Sequence, residues 1–457
     1  MHPTLTTAAA LFLVVSLASQ EPQSRPVAES RPASLPVGSS EYPLHGRSEL
    51  KYVGRWTAGA DDHDLFNSTD LDLGDARRHL LTAHVAGRLA LDLDRDRSPG
   101  NPFRTVDDTY SKDLTARLYS AYLDVNGGVD GSPMRGVINR VRAGRQILYE
   151  TPRTLFLDGV SVETAPARLM ELTFIGYVGS PSHLFEQSRD GDWAAGGAVS
   201  AVPWRGGQVR FDYLHVTDRY LSTTNEDDLF ALRGEQVVGK WLRLGGNFSM
   251  LETEAHEVGA HATVEIPDAE LSLTGRYTGL LSDQNERTLD LDYFHNFLAT
   301  YFAYDQYELA VHKGLGEHAF VDGGVQFREL RHDDNAGIFN HEFQRYYLTP
   351  GISEWPFAGF SISLTGAAWV SGGDRFGSVG AEAQQRFDDA WTGSIGTAFD
   401  LYRYDALLGQ ERQDVQTSWA RLTWRATKHL RLRGSFTFED GDDADFYTVL
   451  LSVEVRQ

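Results

Sequence analysis

From Arg47 to the last residue the chain alternates apolar and polar side chains with a period of two. This feature limits the fold more than any other. A strand sends successive side chains to opposite faces, whereas a helix repeats near 3.6 residues. Leu81, Ala83, Val85, Gly87, Leu89, Leu91 and Leu93 are interleaved with Thr82, His84, Ala86, Arg88, Ala90, Asp92 and Asp94. The pattern returns in Leu242, Leu244, Gly246, Phe248 and Met250 against Arg243, Asn247 and Ser249, and in Phe360, Ile362, Leu364, Gly366, Ala368 and Val370 against Ser361, Ser363 and Thr365. Two late segments repeat it: Leu430, Leu432, Gly434, Phe436 and Phe438 against Arg431, Arg433, Ser435 and Thr437, then Tyr447, Val449, Leu451, Val453 and Val455. Between them lie turn clusters such as Asn126-Gly127-Gly128, Asp190-Gly191-Asp192, Gly372-Gly373-Asp374 and Asp440-Gly441-Asp442. Amphipathic helices of more than two turns are not expected.

Two architectures use such strands. A soluble sandwich or propeller hides the apolar face in a core; a transmembrane barrel turns it to lipid and keeps the polar face inside. The polar face here carries full charges strand after strand, which suits a lumen. Glycine, 44 residues in all, is frequent on the apolar face, where a core would lose packing. Aromatics fall near strand ends, as an interfacial girdle requires: Tyr52 and Trp56, Tyr119 and Tyr122, Trp193 and Trp204, Tyr293 and Tyr301, Trp419 and Trp424. A closed barrel also pairs every backbone group and leaves no edge. The expected fold is all-β: a transmembrane antiparallel up-and-down barrel. Roughly 20–25 residues per strand and connection gives about 18 strands, within a range of about 16–20. A barrel that wide holds water unless loops fold inward.

The segment Ala8–Leu17 is an apolar run too short to span a bilayer as a helix. Ser16-Leu17-Ala18 presents small residues at the spacing of a signal-peptidase site, so residues 1–18 are expected to be a cleaved signal peptide, although MHPTLTT before the run has no Lys or Arg. Residues 19–46, with Pro22, Pro26, Pro32, Pro36 and Pro43, are expected to be a semi-extended periplasmic linker, and 47–457 the barrel. This places the protein in the outer membrane of a Gram-negative-type bacterium, against lipid and lipopolysaccharide, with a monomer favoured. Zero cysteine excludes disulfide scaffolds, thiolate metal sites and cysteine nucleophiles. A net charge of −22 argues against nucleic acid as a partner. The acidic excess lies in connections such as Asp61-Asp62-His63-Asp64 and Glu226-Asp227-Asp228. The chain ends Val455-Arg456-Gln457 without the terminal aromatic usual in barrels.

Three stretches carry a family likeness: LYSAYLDV (Leu118–Val125), VRAGRQILY (Val141–Tyr149) and RTLFLDGVSV (Arg153–Val162). Together they resemble the alginate-export family of outer-membrane porins, in which an "A-Y" strand leads to an "R-x-G-R-Q" strand and an "F-D-G-V"-like return. Ala121-Tyr122, Arg142-Ala143-Gly144-Arg145-Gln146 and Leu157-Asp158-Gly159-Val160 match those pieces, with Leu157 standing where an aromatic is usual. The likeness covers about a tenth of the chain and implies an 18-stranded passive channel with a basic lumen.

The arginines on the polar strand faces are the candidate pore lining: Arg88, Arg117, Arg140, Arg142, Arg210, Arg243, Arg276, Arg421, Arg431 and Arg433. Guanidinium groups stay charged and bind carboxylates and phosphates, so a lumen lined by them favours anionic or polar solutes, including saccharides. Each could instead pair with a lumenal acid, and Asp92, Asp124, Glu171, Asp212, Glu270, Asp290, Asp400 and Glu454 are available. No catalytic residue, metal or cofactor is expected. His256 and His261 lie five apart rather than at the i, i+4 spacing of a zinc helix, and as strand residues they should face opposite ways. A barrel hydrolase, or a scaffold barrel whose tail binds a periplasmic partner, are the alternatives.

Overall fold

The computed structural model describes residues 42–95, 103, 113–149, 151–182, 191–220, 223–282, 302–332, 341–405, 410–441 and 444–457. They form one sheet of 22 strands. The first sector holds β1 (Leu44–Thr57), β2 (Ala60–Leu73), β3 (Leu81–Asp92), β4 (Leu114–Asn126), β5 (Ile138–Leu148), β6 (Leu155–Thr164) and β7 (Thr173–Pro181). Next come β8 (Trp193–Ala201), β9 (Gly207–Tyr220), β10 (Thr223–Val238), β11 (Leu242–Leu251), β12 (Glu254–Ile266), β13 (Leu271–Leu280) and β14 (Tyr304–Leu315). The last are β15 (Ala319–Leu330), β16 (Phe343–Ser353), β17 (Phe360–Ser371), β18 (Asp374–Arg386), β19 (Trp391–Asp405), β20 (Gln410–Arg425), β21 (Leu430–Asp440) and β22 (Phe446–Arg456). Every strand pairs antiparallel with the next, and β22 returns to β1, with Arg47 opposite Arg456 and Trp56 opposite Tyr447. The sheet is therefore a closed up-and-down barrel. Among the described residues the only helical element is a 3-10 turn, Pro267–Ala269.

The strand number is 22 rather than about 18. The connections are shorter than the sequence estimate assumed: residues 58–59 join β1 to β2, 239–241 join β10 to β11, and 316–318 join β14 to β15. Leu44 to Arg456 divides into about 19 residues per strand with its connection. The barrel also begins at Leu44, inside the stretch assigned to the linker, and Gly46 exchanges backbone hydrogen bonds with Gln457. The intact alternation of β22 closes the barrel without a terminal aromatic.

The register settles which face is which. Cross-strand partners share a face. Leu123, Val160, Val178, Leu364, Val379, Ile395 and Leu451 all lie on one face and are exposed, Val379 by 70%. Leu50 faces Val453, and Leu89 faces Asn67 and Ala116, in the same outer layer. The opposite face carries most of the charges, above all the arginines of the mid-strand positions. Because the strand count is even, β1 starts and β22 ends at the same, proximal, end. Proximal connections run from three residues to the eleven of 127–137; distal ones include 93–113 and 281–303.

The girdle expectation holds in part. Tyr52, Trp56 and Trp193 face outward towards the distal end, and Trp424 stacks on Trp391 at the proximal end, centroids 5.1 Å apart. Trp204 is exposed in the proximal connection between β8 and β9. Tyr122 and Trp419 instead face inward, Tyr119 sits at a β-bulge, and Tyr293 and Tyr301 lie outside the described residues. Strand-end position in the sequence does not fix the face; parity does.

Candidate functional site: the barrel lumen

All ten candidate arginines fall on the inward face. Arg88 lies opposite Arg117, Arg140 opposite Asn126, and Arg142 opposite Asp124. Arg210 lies opposite Arg233, Arg243 opposite Thr263, and Arg276 opposite His261 and Glu308. Arg421 lies opposite Ser394, Arg431 opposite Glu454, and Arg433 opposite Ser452. Their shared face follows from the same parity that makes the alternating residues apolar.

Half of them are tied to acids. Arg142 holds Asp124 with two hydrogen bonds, Nε to Oδ1 at 2.7 Å and Nη2 to Oδ2 at 2.9 Å, and covers the Tyr122 ring at 3.6 Å. Arg140 donates to Glu163 at 3.0 Å, and Arg210 to Asp212 at 2.8 Å. Glu454, fully buried, gathers Arg433 and Arg456, with Arg431 at 4.0 Å. Such pairs fix the wall and neutralise their own charge, most completely in the bidentate, largely buried Arg142–Asp124 pair. Of the acids proposed as partners, Asp124, Asp212 and Glu454 serve; Glu171 and Glu270 occupy turns instead, and Asp290 lies outside the described residues. Arg88 covers the Phe66 ring at 4.7 Å. Arg243, Arg276 and Arg421 are exposed on the inner face and make no ion pair among the described residues; Arg421 lies 5.1 Å from the Trp419 ring centroid.

Other inward cations share the parity signal but were absent from the sequence-based set. Arg55 binds Asp62 and Asp64. Arg328 covers Tyr304, and Arg345 sits 5.0 Å from Tyr347 and 4.9 Å from Trp369. The "R-x-G-R-Q" strand splits its two arginines between faces: Arg142 points in, whereas Arg145 points out and pairs with Asp158 on the outer wall. Gly144 between them has φ +125°, and a Cβ there would stand 2.3 Å from the Ala121 carbonyl oxygen. The glycine of that motif is thus required by backbone conformation and strand approach.

One connection folds into the lumen. Residues 151–154, ahead of β6, reach the inner faces of β10 and β12. Arg233 donates from Nη2 to the Thr151 carbonyl at 2.9 Å, and Arg153 donates from Nη2 to His256 Nε2 at 2.7 Å. His256 can turn inward because it is the extra residue of a β-bulge, Met250 pairing with Ala255 and Ser249 with Glu257. It does not oppose His261, as unbroken alternation would have required. Near this connection, on the inner face at the distal end, Leu155, Leu157, Tyr177, Ala194, Leu214, Val216, Leu229 and Leu251 form a buried cluster. The apolar residues are therefore not solely an outer coat. Gly196 supplies the space for Tyr177, whose hydroxyl would lie 2.4 Å from a Cβ there and donates to the Tyr213 carbonyl at 3.1 Å.

No family model matches the chain, and no curated protein does. Among solved structures it is similar to a BenF-like porin from Pseudomonas fluorescens (10% identity, covering 91% of this chain and 99% of that one, TM-score 0.44). It is also similar to the outer membrane protein opdK from Pseudomonas aeruginosa (10% identity, 91% and 98% covered, TM-score 0.41). A third is the translocation pore of the P pilus usher PapC (12% identity, 90% and 99% covered, TM-score 0.49). Likenesses at this identity concern the fold alone. The alginate-export likeness of Leu118–Val162 rests on its own residues.

Proposed function

We propose that the protein is an outer-membrane channel through which polar, chiefly anionic, solutes diffuse passively. The observation that carries this reading is the division of one closed sheet into an exposed apolar outer face and a charged inner face. Lipid accommodates the first and water the second. The short connections at the proximal end match periplasmic turns, and the long distal ones match extracellular loops. The apolar run Ala8–Leu17 supports export by a cleaved signal peptide. Arg243, Arg276 and Arg421 are the residues that act on solutes, because they are exposed inward and have no acid within ion-pair distance among the described residues. Arg142 and Arg433 serve the wall, since their charges are matched by Asp124 and Glu454. The Leu118–Val162 resemblance supports acidic saccharides as the solute class.

The test is conductance of the purified barrel in a planar bilayer under a salt gradient. The wild type should give stable steps and a reversal potential on the anion side. Arg243→Glu with Arg276→Glu should move that potential towards cations by several millivolts. A silent barrel would overturn the channel, and an unchanged potential would remove these two arginines from the permeation path.

A further inference from the structure

We propose that Asp70, Asp72 and His84 form a binding site for a divalent first-row transition-metal ion on the lumen wall near the proximal end. Asp70 and Asp72 lie two residues apart on β2, so both carboxylates share the inner face. His84 on β3 is the cross-strand partner of Asp72. One ligand atom from each of the three lies within 4.8 Å of the others. His84 Nδ1 is 2.8 Å from Asp72 Oδ1 and 3.8 Å from Asp70 Oδ1. Metal–ligand bonds of about 2.0–2.2 Å place neighbouring donor atoms roughly 3–3.5 Å apart, so small side-chain adjustments suffice.

Two further observations separate this trio from an ordinary acidic patch. The first is a charge mismatch. Many other acids of the barrel wall are answered by arginine: Asp62 and Asp64 by Arg55, Asp124 by Arg142, Asp158 by Arg145, Glu163 by Arg140, Asp212 by Arg210, and Glu454 by Arg433; Asp228 and Asp322 each meet one histidine, but singly. Asp70 and Asp72 have no arginine or lysine within 4.0 Å among the described residues; both turn to one imidazole. Arg47, opposite Asp70 in the register, makes no ion pair with it among the described residues, and Arg142 is committed to Asp124. A divalent cation would supply the missing positive charge. The second is the way the imidazole is held. Its Nε2 is 2.8 Å from the hydroxyl of the buried Ser120, and its ring stacks on Tyr122, centroids 4.7 Å apart. A fixed outer nitrogen and a fixed ring plane are what orient a histidine towards a metal.

The donor set names the class of ion. One imidazole with two carboxylates suits zinc, nickel, cobalt or manganese, whereas calcium and magnesium prefer all-oxygen sets. The carboxylates are partly exposed to the lumen, Asp72 by 57%, so water or a solute completes the coordination. The site is independent of the channel reading, because neither carboxylate is among the residues assigned to permeation.

The experiment is a titration of the full-length, metal-stripped barrel in detergent with Zn²⁺ against a chromophoric competitor, alongside Ca²⁺. The wild type should take up a single tight equivalent that a large excess of Ca²⁺ does not displace. Asp72→Asn and His84→Ala should each abolish it, and Ser120→Ala should weaken it about tenfold. Heat-modifiable migration on gels verifies that each variant is folded; should His84→Ala fail to fold, His84→Gln takes its place. Co²⁺ should give a visible absorption band with the wild type that the His84 variant lacks. Absence of stoichiometric Zn²⁺ uptake, retention of uptake in the Asp72 and His84 variants, or displacement by Ca²⁺ would each overturn the site. Conductance measured in chelator reports the channel separately.

Discussion

At Gly144 a single backbone dihedral ties a recurring motif to barrel closure. Its φ of +125° is open to glycine, and its inner side meets the Ala121 carbonyl. Substituting valine adds a strained dihedral costing about 1–3 kcal/mol, and the contact with Ala121 adds to it. Gly144→Val should therefore lower the urea midpoint of refolding into lipid vesicles and reduce the heat-resistant folded fraction, while Ala143→Val, on the exposed outer face, should leave both near wild type. The arginines show how far a sequence reaches at this scale. Parity placed Arg88, Arg243 and Arg421 on the inner face without a structure. It could not tell that Arg142 is neutralised, because that depends on pairing with Asp124 across a register that only the β4–β5 hairpin defines. Arg55 carries the same parity but precedes the acidic run Asp61–Asp64, which reads as a connection in the sequence and is instead the start of β2.

Elements were less legible than residues. The strands announced themselves, but their number did not, since hairpins joined by two or three residues merge in a linear pattern. The inward stretch 151–154 left no mark in its own sequence. Its anchors, Arg233 and His256, lie 82 and 103 residues from the groups they hold. A bulge, which no periodicity predicts, turns His256 towards Arg153. The connection spans from β6 to β12 on the lumen side, so it narrows the passage it crosses. Arg153→Ala with Arg233→Ala removes both of these contacts without touching the outer wall. Single-channel conductance should rise, and open-state noise should increase as the freed segment moves. Unchanged conductance would place the narrowest point of the lumen elsewhere, and loss of folding would show that these contacts stabilise the distal cluster around Leu155 and Leu214.

For the molecule as a whole, the decisive property is that one alternation serves two solvents. Closure pairs β22 with β1 and leaves no strand edge to aggregate or to face lipid unpaired. The outer layer then needs only apolar side chains of modest shape, which is why glycine is tolerated there, whereas the inner layer needs matched charges. Adjacent positions in mid-strand should consequently respond in opposite ways to one substitution. Leu364 is exposed on the outer face of β17, and Thr365 faces inward, its hydroxyl 2.9 Å from that of Thr349. Leu364→Arg places a charge in hydrocarbon near the midplane, at a cost of about 2–4 kcal/mol. Thr365→Arg places the same charge on the inner face, where it should cost little and should move selectivity towards anions. Urea titrations of both variants in vesicles test the assignment directly: a barrel whose apolar face met water instead of lipid would lose no such difference on moving from lipid to detergent-free buffer, and equal midpoints for the two variants would refute the inside–outside division on which the channel depends.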